Sequence, residues 1–244
     1  MTAPLIIIPI ALEWVILVTT LAPIFLPSRR LFFKFPNLGL FTWFAALLSA
    51  GVAAAAAASV MVWSIVETWL ALEANPAGSP SWLAVFWASF APWLILAAAG
   101  ISLAVINLRI EPLVVAAKQT QPLFEGALRP VQNFMGVEVL EMPLPIVVAF
   151  TRKKQIVLSS QVRLVLSEAQ YEDVLWHELA HISLRHNSLK KLAGFVRTLS
   201  PRLAASKALV VEVDRLCELA ADKRALREVD ARTLQSARRI FASS

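Results

Sequence analysis

Hydrophobic positions divide the chain into two unlike halves. Residues 5–26, 38–66 and 82–108 form three apolar stretches, and each is long enough to cross a bilayer as a helix, for which about 20 residues suffice. Beyond residue 108 the apolar runs are shorter and alternate with polar positions. We therefore predict a mainly α membrane protein, with three transmembrane helices in a domain spanning residues 1–108. A small α+β domain in water follows, spanning residues 109–244.

Composition supports this division. Hydrophobic residues make up 58% of the chain and charged residues 16%, whereas soluble domains have about 45–50% and about 25%. The first 107 residues contain six charged side chains, Glu13, Arg29, Arg30, Lys34, Glu67 and Glu73. An ordinary soluble domain is thereby excluded. The net charge of +6 lies in the second half, and we assign it to the surface of the lipid bilayer. No zinc-finger spacing or aromatic-interleaved basic patch indicates direct nucleic-acid binding.

Loop charges predict the orientation in the cell membrane. The loop after the first span is basic, with Arg29, Arg30 and Lys34, whereas the loop after the second span has two glutamates and no base. The positive-inside rule then places the N-terminus outside and the second half in the cytoplasm. Glu13 lies within the first span, where a carboxylate is costly. Its role stays open between a function and a hydrogen bond to a neighbouring helix.

The second half has signals for both strands and helices. The strand-like runs are Val137–Met142, Ile146–Thr151 and Gln155–Ser159, which together predict a small antiparallel sheet. Ser167 and Gln170 form a capping-box signature that opens a long helix. We expect that helix to continue to the Ser200-Pro201 pair. A second strong helix is predicted over residues 205–228, and a short basic helix after it.

The run His177-Glu178-Leu179-Ala180-His181 contains two of the three histidines. Residues four apart share one helix face, so His177 and His181 can reach a single zinc ion. Glu178 is rotated by about 100° from His177. It can therefore stand beside the metal as the catalytic base without being a ligand.

A third ligand is available on the next strong helix. Glu218 and Asp222 lie four residues apart and share a face. A catalytic zinc takes three protein ligands and keeps one position open, so we predict His177, His181 and Glu218 as the ligands of one Zn²⁺. Asp222 could accept a hydrogen bond from the far nitrogen of a ligating histidine.

Other candidates fit the metal less well. On a continuous helix, His186 points away from His177, which favours a structural or surface role. Glu212 cannot share a face with Glu218. The metzincin pattern is excluded because Leu184 and Asn187 occupy the positions of its glycine and third histidine.

The combined motifs resemble a known group of enzymes. The residues that carry the resemblance are Leu158-Ser159, Leu166-Ser167, the run Val174–His181, and Glu218-x-x-Ala221-Asp222. They resemble the membrane gluzincins, namely the HtpX and CAAX-prenyl-protease group and the related BlaR/MecR antirepressor peptidases. The resemblance covers residues 140–228. The three predicted spans and the 36 residues between His181 and Glu218 are closer to the BlaR/MecR type.

The resemblance implies a gluzincin-like fold and a cytoplasmic active site. It assigns zinc to His177, His181 and Glu218, catalysis to Glu178, and an outer supporting role to Asp222. In relatives the strand before the motif helix can pair with the substrate backbone. Here residues 148–151 or 155–159 would do so.

Three functions remain open. The first is a membrane-bound zinc metalloendopeptidase that cleaves a cytoplasmic or juxtamembrane protein, with a transcriptional repressor suggested by resemblance alone. The second is a noncatalytic membrane signalling or scaffold subunit that zinc braces. The third is a membrane protein with a chance motif. The sequence leaves open the substrate-binding residues, the oligomeric state and the oxyanion donor, for which Arg202, Arg224 and Arg227 are candidates.

Overall fold

The computed structural model describes residues 7–27, 29–74 and 127–243, together with residues 90, 105 and 108. Within these residues the chain is mostly helical, with one small sheet. The helices are α1 (Ile7–Phe25), α2 (Arg30–Lys34), α3 (Pro36–Ala74), α4 (Ser160–Val165), α5 (Glu168–Ser183), α6 (His186–Leu199), α7 (Ala204–Ala225) and α8 (Ala231–Ser243). The strands are β1 (Arg129–Phe134), β2 (Val137–Met142), β3 (Ala149–Arg152) and β4 (Gln155–Ser159).

Two helices are long and apolar enough to cross a membrane. They run Ile7–Phe25 and Pro36–Ala71, and most of their side chains are not covered by protein. Exposed apolar surface of this extent marks contact with a partner or a membrane, and two such helices give weak support for membrane association. Glu13 is among the exposed residues of α1.

Part of the predicted organisation cannot be compared with the structure. The third predicted span, residues 82–108, lies almost entirely outside the described residues. The domain boundary at residue 108 and the membrane orientation therefore stay predictions.

The described residues form two compact units. One contains residues 7–27, 41–74 and 198–207. The other contains residues 29–40, 127–197 and 208–243, so it combines the sheet, the motif helix and the loop after α1. The basic loop between the two apolar helices is thus part of the same unit as the candidate site.

The sheet has the strand order β1-β2-β4-β3. The bounds of β2 and β4 agree with the sequence prediction, and β1–β2 and β3–β4 are antiparallel. However, β2 and β4 are parallel, so the prediction of a purely antiparallel sheet is wrong. β4 pairs with both β2 and β3, and β3 takes the outer edge. The described β3 is also shorter than predicted, and β1 had not been predicted.

A buried cluster fixes helix α5 against this sheet. Its residues come from β2, β4, the α4 segment, α5 and α8, namely Val139, Ile156, Leu158, Val162, Leu166, Val174, Leu175 and Ala237. Protein interiors of this kind are closely packed and resist displacement. The helix that carries the histidines therefore has a rigid base.

Helix α5 starts as predicted but ends early. Ser167 and Gln170 form the reciprocal capping box, which confirms that prediction. The helix ends at Ser183, and Arg185 has a positive φ of 55° before α6 begins at His186. The prediction of one helix continuing to Ser200 is therefore wrong. A left-handed residue is usually glycine or asparagine, so an arginine gave no sequence signal for the break.

Candidate metal centre and active site

Three predicted side chains meet at one point between α5 and α7. Nε2 of His177 lies 3.1 Å from Nε2 of His181. The Glu218 carboxylate completes the triangle, 3.3 Å from His177 Nε2 and 3.5 Å from His181 Nε2. The helical repeat of α5 puts the two histidines one turn apart, and α7 presents the glutamate to both.

This triangle fits a zinc ion. Zinc–nitrogen and zinc–oxygen bonds of about 2.0–2.1 Å in a tetrahedron put neighbouring ligand atoms about 3.3 Å apart. The three measured separations scatter around that value. The donor set of two imidazoles and one carboxylate is one that zinc accepts with a position left open. The cluster therefore fits a metal site.

Asp222 lies where the sequence places it. Its Oδ1 is 3.1 Å from Nδ1 of His177, on the side of the ring away from the cluster. The contact joins opposite charges when His177 is protonated. An Nδ1–H facing this carboxylate leaves Nε2 as the ligating atom.

Arg238 is a site residue that the sequence did not reveal. Its guanidinium lies 2.6 Å from Oδ1 of Asp222, and the side chain also lines the cavity beside Glu178. It comes from α8, which packs against α5. Only the docking of that last helix brings Arg238 to the site, so no local motif could have indicated it.

His186 also lies at the site, contrary to the sequence expectation that it points away. Because the chain turns at Arg185, His186 Nδ1 comes to 2.9 Å from Nδ1 of His181. Burial, followed by the nearby His181 and Lys190, lowers the pKa of His186 to about 4. A neutral His186 can accept a hydrogen bond from His181 Nδ1–H, which fixes His181 Nε2 as the ligating atom.

Lys190 is a second cation at the cluster. Its Nζ donates to Glu218 Oε1 at 3.2 Å and lies 3.3 Å from Asp214. Burial lowers the pKa of Lys190, but the two carboxylates outweigh this and raise it overall. Lys190 therefore stays charged and holds the Glu218 carboxylate.

Glu178 lines a cavity of about 210 Å³ next to the cluster. The cavity has mixed walls, with Ala149, Val174, Leu234, Ala237 and Phe241 beside His177, Glu178, Glu218 and Arg238. Burial raises the pKa of Glu178, although His177 and His181 act in the opposite direction. A carboxylate with a raised pKa is better suited to accept and return a proton near neutral pH.

The cluster is electrostatically built for a cation. Burial lowers the pKa of His177, but Asp222 and Glu218 outweigh it and raise the value to about 9. Burial raises the pKa of Glu218, and contacts with His177 and His181 outweigh it and hold the pKa well below its usual range. The carboxylates that favour a proton on His177 would equally favour a metal ion there.

Two of the three arginines proposed from sequence as oxyanion donors line another cavity than the one at this cluster. Arg224 and Arg227 line a different cavity, beside Leu31 and Phe35. Arg202 belongs to the other compact unit, so its role stays a prediction. Arg238 shares a cavity with Glu178.

Comparison with known protein families gives a match over part of the chain. The model of peptidase family M48 matches residues 120–200. This stretch includes the His177–His181 motif, and the match supports the M48 metallopeptidase family and a hydrolase activity. Glu218 lies beyond the matched residues, so its place in the cluster rests on geometry. No curated protein and no solved structure matches the chain.

Proposed function

We propose that this chain is a membrane-bound zinc metalloendopeptidase that cleaves a cytoplasmic or juxtamembrane protein. The observation that carries the proposal is the arrangement of Glu178 in a cavity beside the His177, His181 and Glu218 triangle. The match to peptidase family M48 supports the same chemistry. A transcriptional repressor is a candidate substrate on resemblance to the BlaR/MecR peptidases alone.

Each residue of the site would have a separate role in peptide hydrolysis. His177, His181 and Glu218 would hold the zinc, which when bound supplies the Lewis acidity that acidifies water and polarises a carbonyl. Glu178 removes the proton from the attacking water and returns it to the leaving amine. Asp222 and His186 fix the two imidazoles so that both Nε2 atoms face one point.

Arg238 is suited to stabilise negative charge on the substrate. Arg238 lines the cavity that contains Glu178, and its guanidinium is held by Asp222. A preorganised donor directed at developing charge is among the largest contributions to catalysis. We assign it to the carbonyl oxygen of the bond being cut.

Substrate would bind along the edge strand β3. This strand lies at the end of the sheet, and its first residue, Ala149, lines the cavity. An extended peptide can add to an exposed sheet edge through backbone hydrogen bonds. The apolar walls from α8, Leu234 and Phe241, would then accept an apolar side chain.

The test is cleavage of an unfolded model protein by detergent-purified chain. Wild type and Glu178→Gln are compared, each with and without a chelator, and bound zinc is measured in both. Cleavage by wild type that the mutation and the chelator each abolish, with zinc retained in Glu178→Gln, is the expected result. Equal cleavage by the two proteins would overturn the assignment of Glu178.

The second candidate is a zinc-braced signalling or scaffold subunit. It is favoured by one observation, that the triangle joins α5 to α7 and could simply hold these helices together. This candidate predicts that Glu178→Gln fully complements a deletion strain. The endopeptidase predicts that it does not.

A further inference from the structure

A second cavity, larger than that at the metal cluster, lies between the basic loop and helix α7. It has a volume of about 640 Å³, within the range of small-molecule and lipid sites. Its walls are Leu31, Phe35, Pro36, Asn37 and Leu38 from the loop and the start of α3, with Leu184, Ala220, Lys223, Arg224 and Arg227 opposite. None of the metal-cluster residues lines it.

The loop is firmly docked on α7, so the cavity is a built feature. Phe32 is buried, and a Cβ added to Gly39 would lie 3.0 Å from both Phe32 and Leu216. Arg215 stacks over the ring of Phe33 with 4.7 Å between guanidinium carbon and ring centroid. Lys223 Nζ donates to the carbonyl oxygen of Lys34 at 2.7 Å. These contacts fix the wall that carries the apolar side chains.

The charge at the cavity is positive. Arg224 is paired with Glu228 at 3.2 Å, but no described carboxylate pairs with Arg227. Lys223 uses one of its three N–H donors on the Lys34 carbonyl, which leaves two for a ligand. An apolar cavity with unopposed cations at its wall suits a ligand with a hydrocarbon part and an anionic head.

We propose that this cavity binds one anionic glycerophospholipid. Its phosphate would contact Lys223 and Arg227, and an acyl chain would lie against Leu31, Phe35 and Leu184. Chain connectivity indicates that the lipid comes from the membrane, since Leu31 is only six residues after the end of α1 and Pro36 begins α3. If these helices span the bilayer, as proposed for this protein, the cavity lies where lipid headgroups are available. Basic pockets beside membrane helices recognise such headgroups.

The cavity and the metal cluster share helix α7. Ala220 lies in the cavity wall between Glu218 and Asp222 in sequence, and Leu184 follows the motif helix directly. Binding itself does not require the proposed peptidase activity.

The experiment is a lipid titration followed by native mass spectrometry of the full chain in mild detergent. Phosphatidylglycerol and phosphatidylcholine with identical acyl chains are added separately. The expected result is one bound phosphatidylglycerol at a concentration about 20-fold lower than phosphatidylcholine requires, because each basic side chain near an anionic lipid is worth about fivefold. Equal retention of the two lipids would overturn the proposal.

Matched variants locate the site. The double variant Lys223→Glu/Arg227→Glu should lose the preference for phosphatidylglycerol. The control Arg232→Glu/Arg239→Glu, with the same charge change on exposed positions of α8, should keep it.

A second pair of variants tests the apolar wall. Leu31→Trp narrows the cavity without a charge change and should weaken lipid retention, with Leu164→Trp on the exposed face of α4 as its control. A preference that survives in the Lys223/Arg227 variant would refute the site. Because binding is read directly, a Glu178→Gln background gives the same answer, so failure here is separable from failure of the peptidase proposal.

Discussion

Helix α7 lines two cavities in which charge is arranged in opposite ways. At the metal cluster, Glu218 and Asp222 are each in contact with His177. Lys190 also forms an ion pair with Glu218, and Arg238 forms one with Asp222. At the loop cavity, Lys223 and Arg227 face apolar walls, and no described carboxylate forms an ion pair with Arg227. Carboxylates grouped around imidazoles favour a bound cation, whereas unopposed basic groups favour a bound anion. Helix α7 and the residues just after it therefore carry both sites, with Glu218 only five residues before Lys223.

The largest effect is expected from removing the carboxylate ligand. Glu218→Ala should reduce bound zinc from one per chain to nearly none, because two histidines alone leave an incomplete set. Cleavage should fall by about 10³-fold or more, as expected when a metal that generates the nucleophile is lost. Metal content by atomic absorption and cleavage rate are the measurements.

Glu228→Ala is the matched control for that variant. It removes an exposed carboxylate that pairs with Arg224 near the loop cavity, and exposed pairs contribute little to stability. Zinc content and cleavage should be unchanged. If Glu218→Ala kept zinc at the wild-type level, the carboxylate of Glu218 would not be needed for cation binding, and the contrast in charge between the two cavities would not explain their ligands.

Arg238→Ala should reduce cleavage by about 10²-fold, the loss typical of one oxyanion donor. Zinc content should fall much less, because Arg238 contacts Asp222 and none of the three ligands. The measurement is kcat and KM with zinc content determined on the same sample. Arg239→Ala changes the neighbouring exposed arginine on α8 and should leave both unchanged. A parallel loss of zinc and rate would show that Arg238 acts only through Asp222.

The metal-free protein should depend on pH through His177. Its pKa rises from 6.5 to about 9 in the folded chain. A raised folded pKa stabilises the fold fully below pH 6.5, and that stability is lost as pH rises towards 9. Thermal unfolding of chelator-treated protein should therefore occur at lower temperature at pH 9 than at pH 6.5.

Asp222→Asn provides the control for that pH dependence. It removes a major contribution to the raised pKa of His177, so the fall in unfolding temperature between these pH values should shrink. Zinc-loaded protein should also lack this dependence, since metal takes the place of the proton. An unchanged fall in unfolding temperature between pH 6.5 and pH 9 in Asp222→Asn would contradict the interaction assigned to His177 and Asp222.

The sequence could predict the parts of this site that follow from helical repeat. His177 and His181 share a face of α5, and Glu218 and Asp222 share a face of α7, whatever the tertiary structure. Arg238 was not predictable, because its position depends on how Ala237 and its neighbours pack α8 against α5.

The fold was predictable to a similar degree. The bounds of β2 and β4 followed from local pattern, but their parallel pairing depends on β3 taking the outer edge. The turn that returns His186 to His181 occurs at Arg185, a residue that normally avoids a positive φ. Non-local packing decided each of these features.

The smallest expected effect is a difference in stability between substitutions of two glycines of helix α3. Gly39 packs against the wall of the loop cavity, and Gly51 does not. A Cβ at Gly39 would meet Leu216 and Phe32 at 3.0 Å, whereas a Cβ at Gly51 would meet no atom within 4 Å. Gly51→Ala should stabilise the chain by up to about 1 kcal/mol through helix propensity. Gly39→Ala gains the same propensity but must displace the packed side chains, at a cost of about 1–3 kcal/mol. Its net effect should therefore be destabilising.

Thermal unfolding in detergent measures the difference in stability between the two variants. The lipid titration shows whether the substitution at Gly39 displaces the loop. If the loop forms the cavity wall as described, Gly39→Ala should also weaken phosphatidylglycerol retention, because the loop must move away from α7. Gly51→Ala should leave retention unchanged. Equal stability of the two variants would mean that the loop yields freely at Leu216, and the cavity would then lack the fixed wall on which its lipid specificity depends.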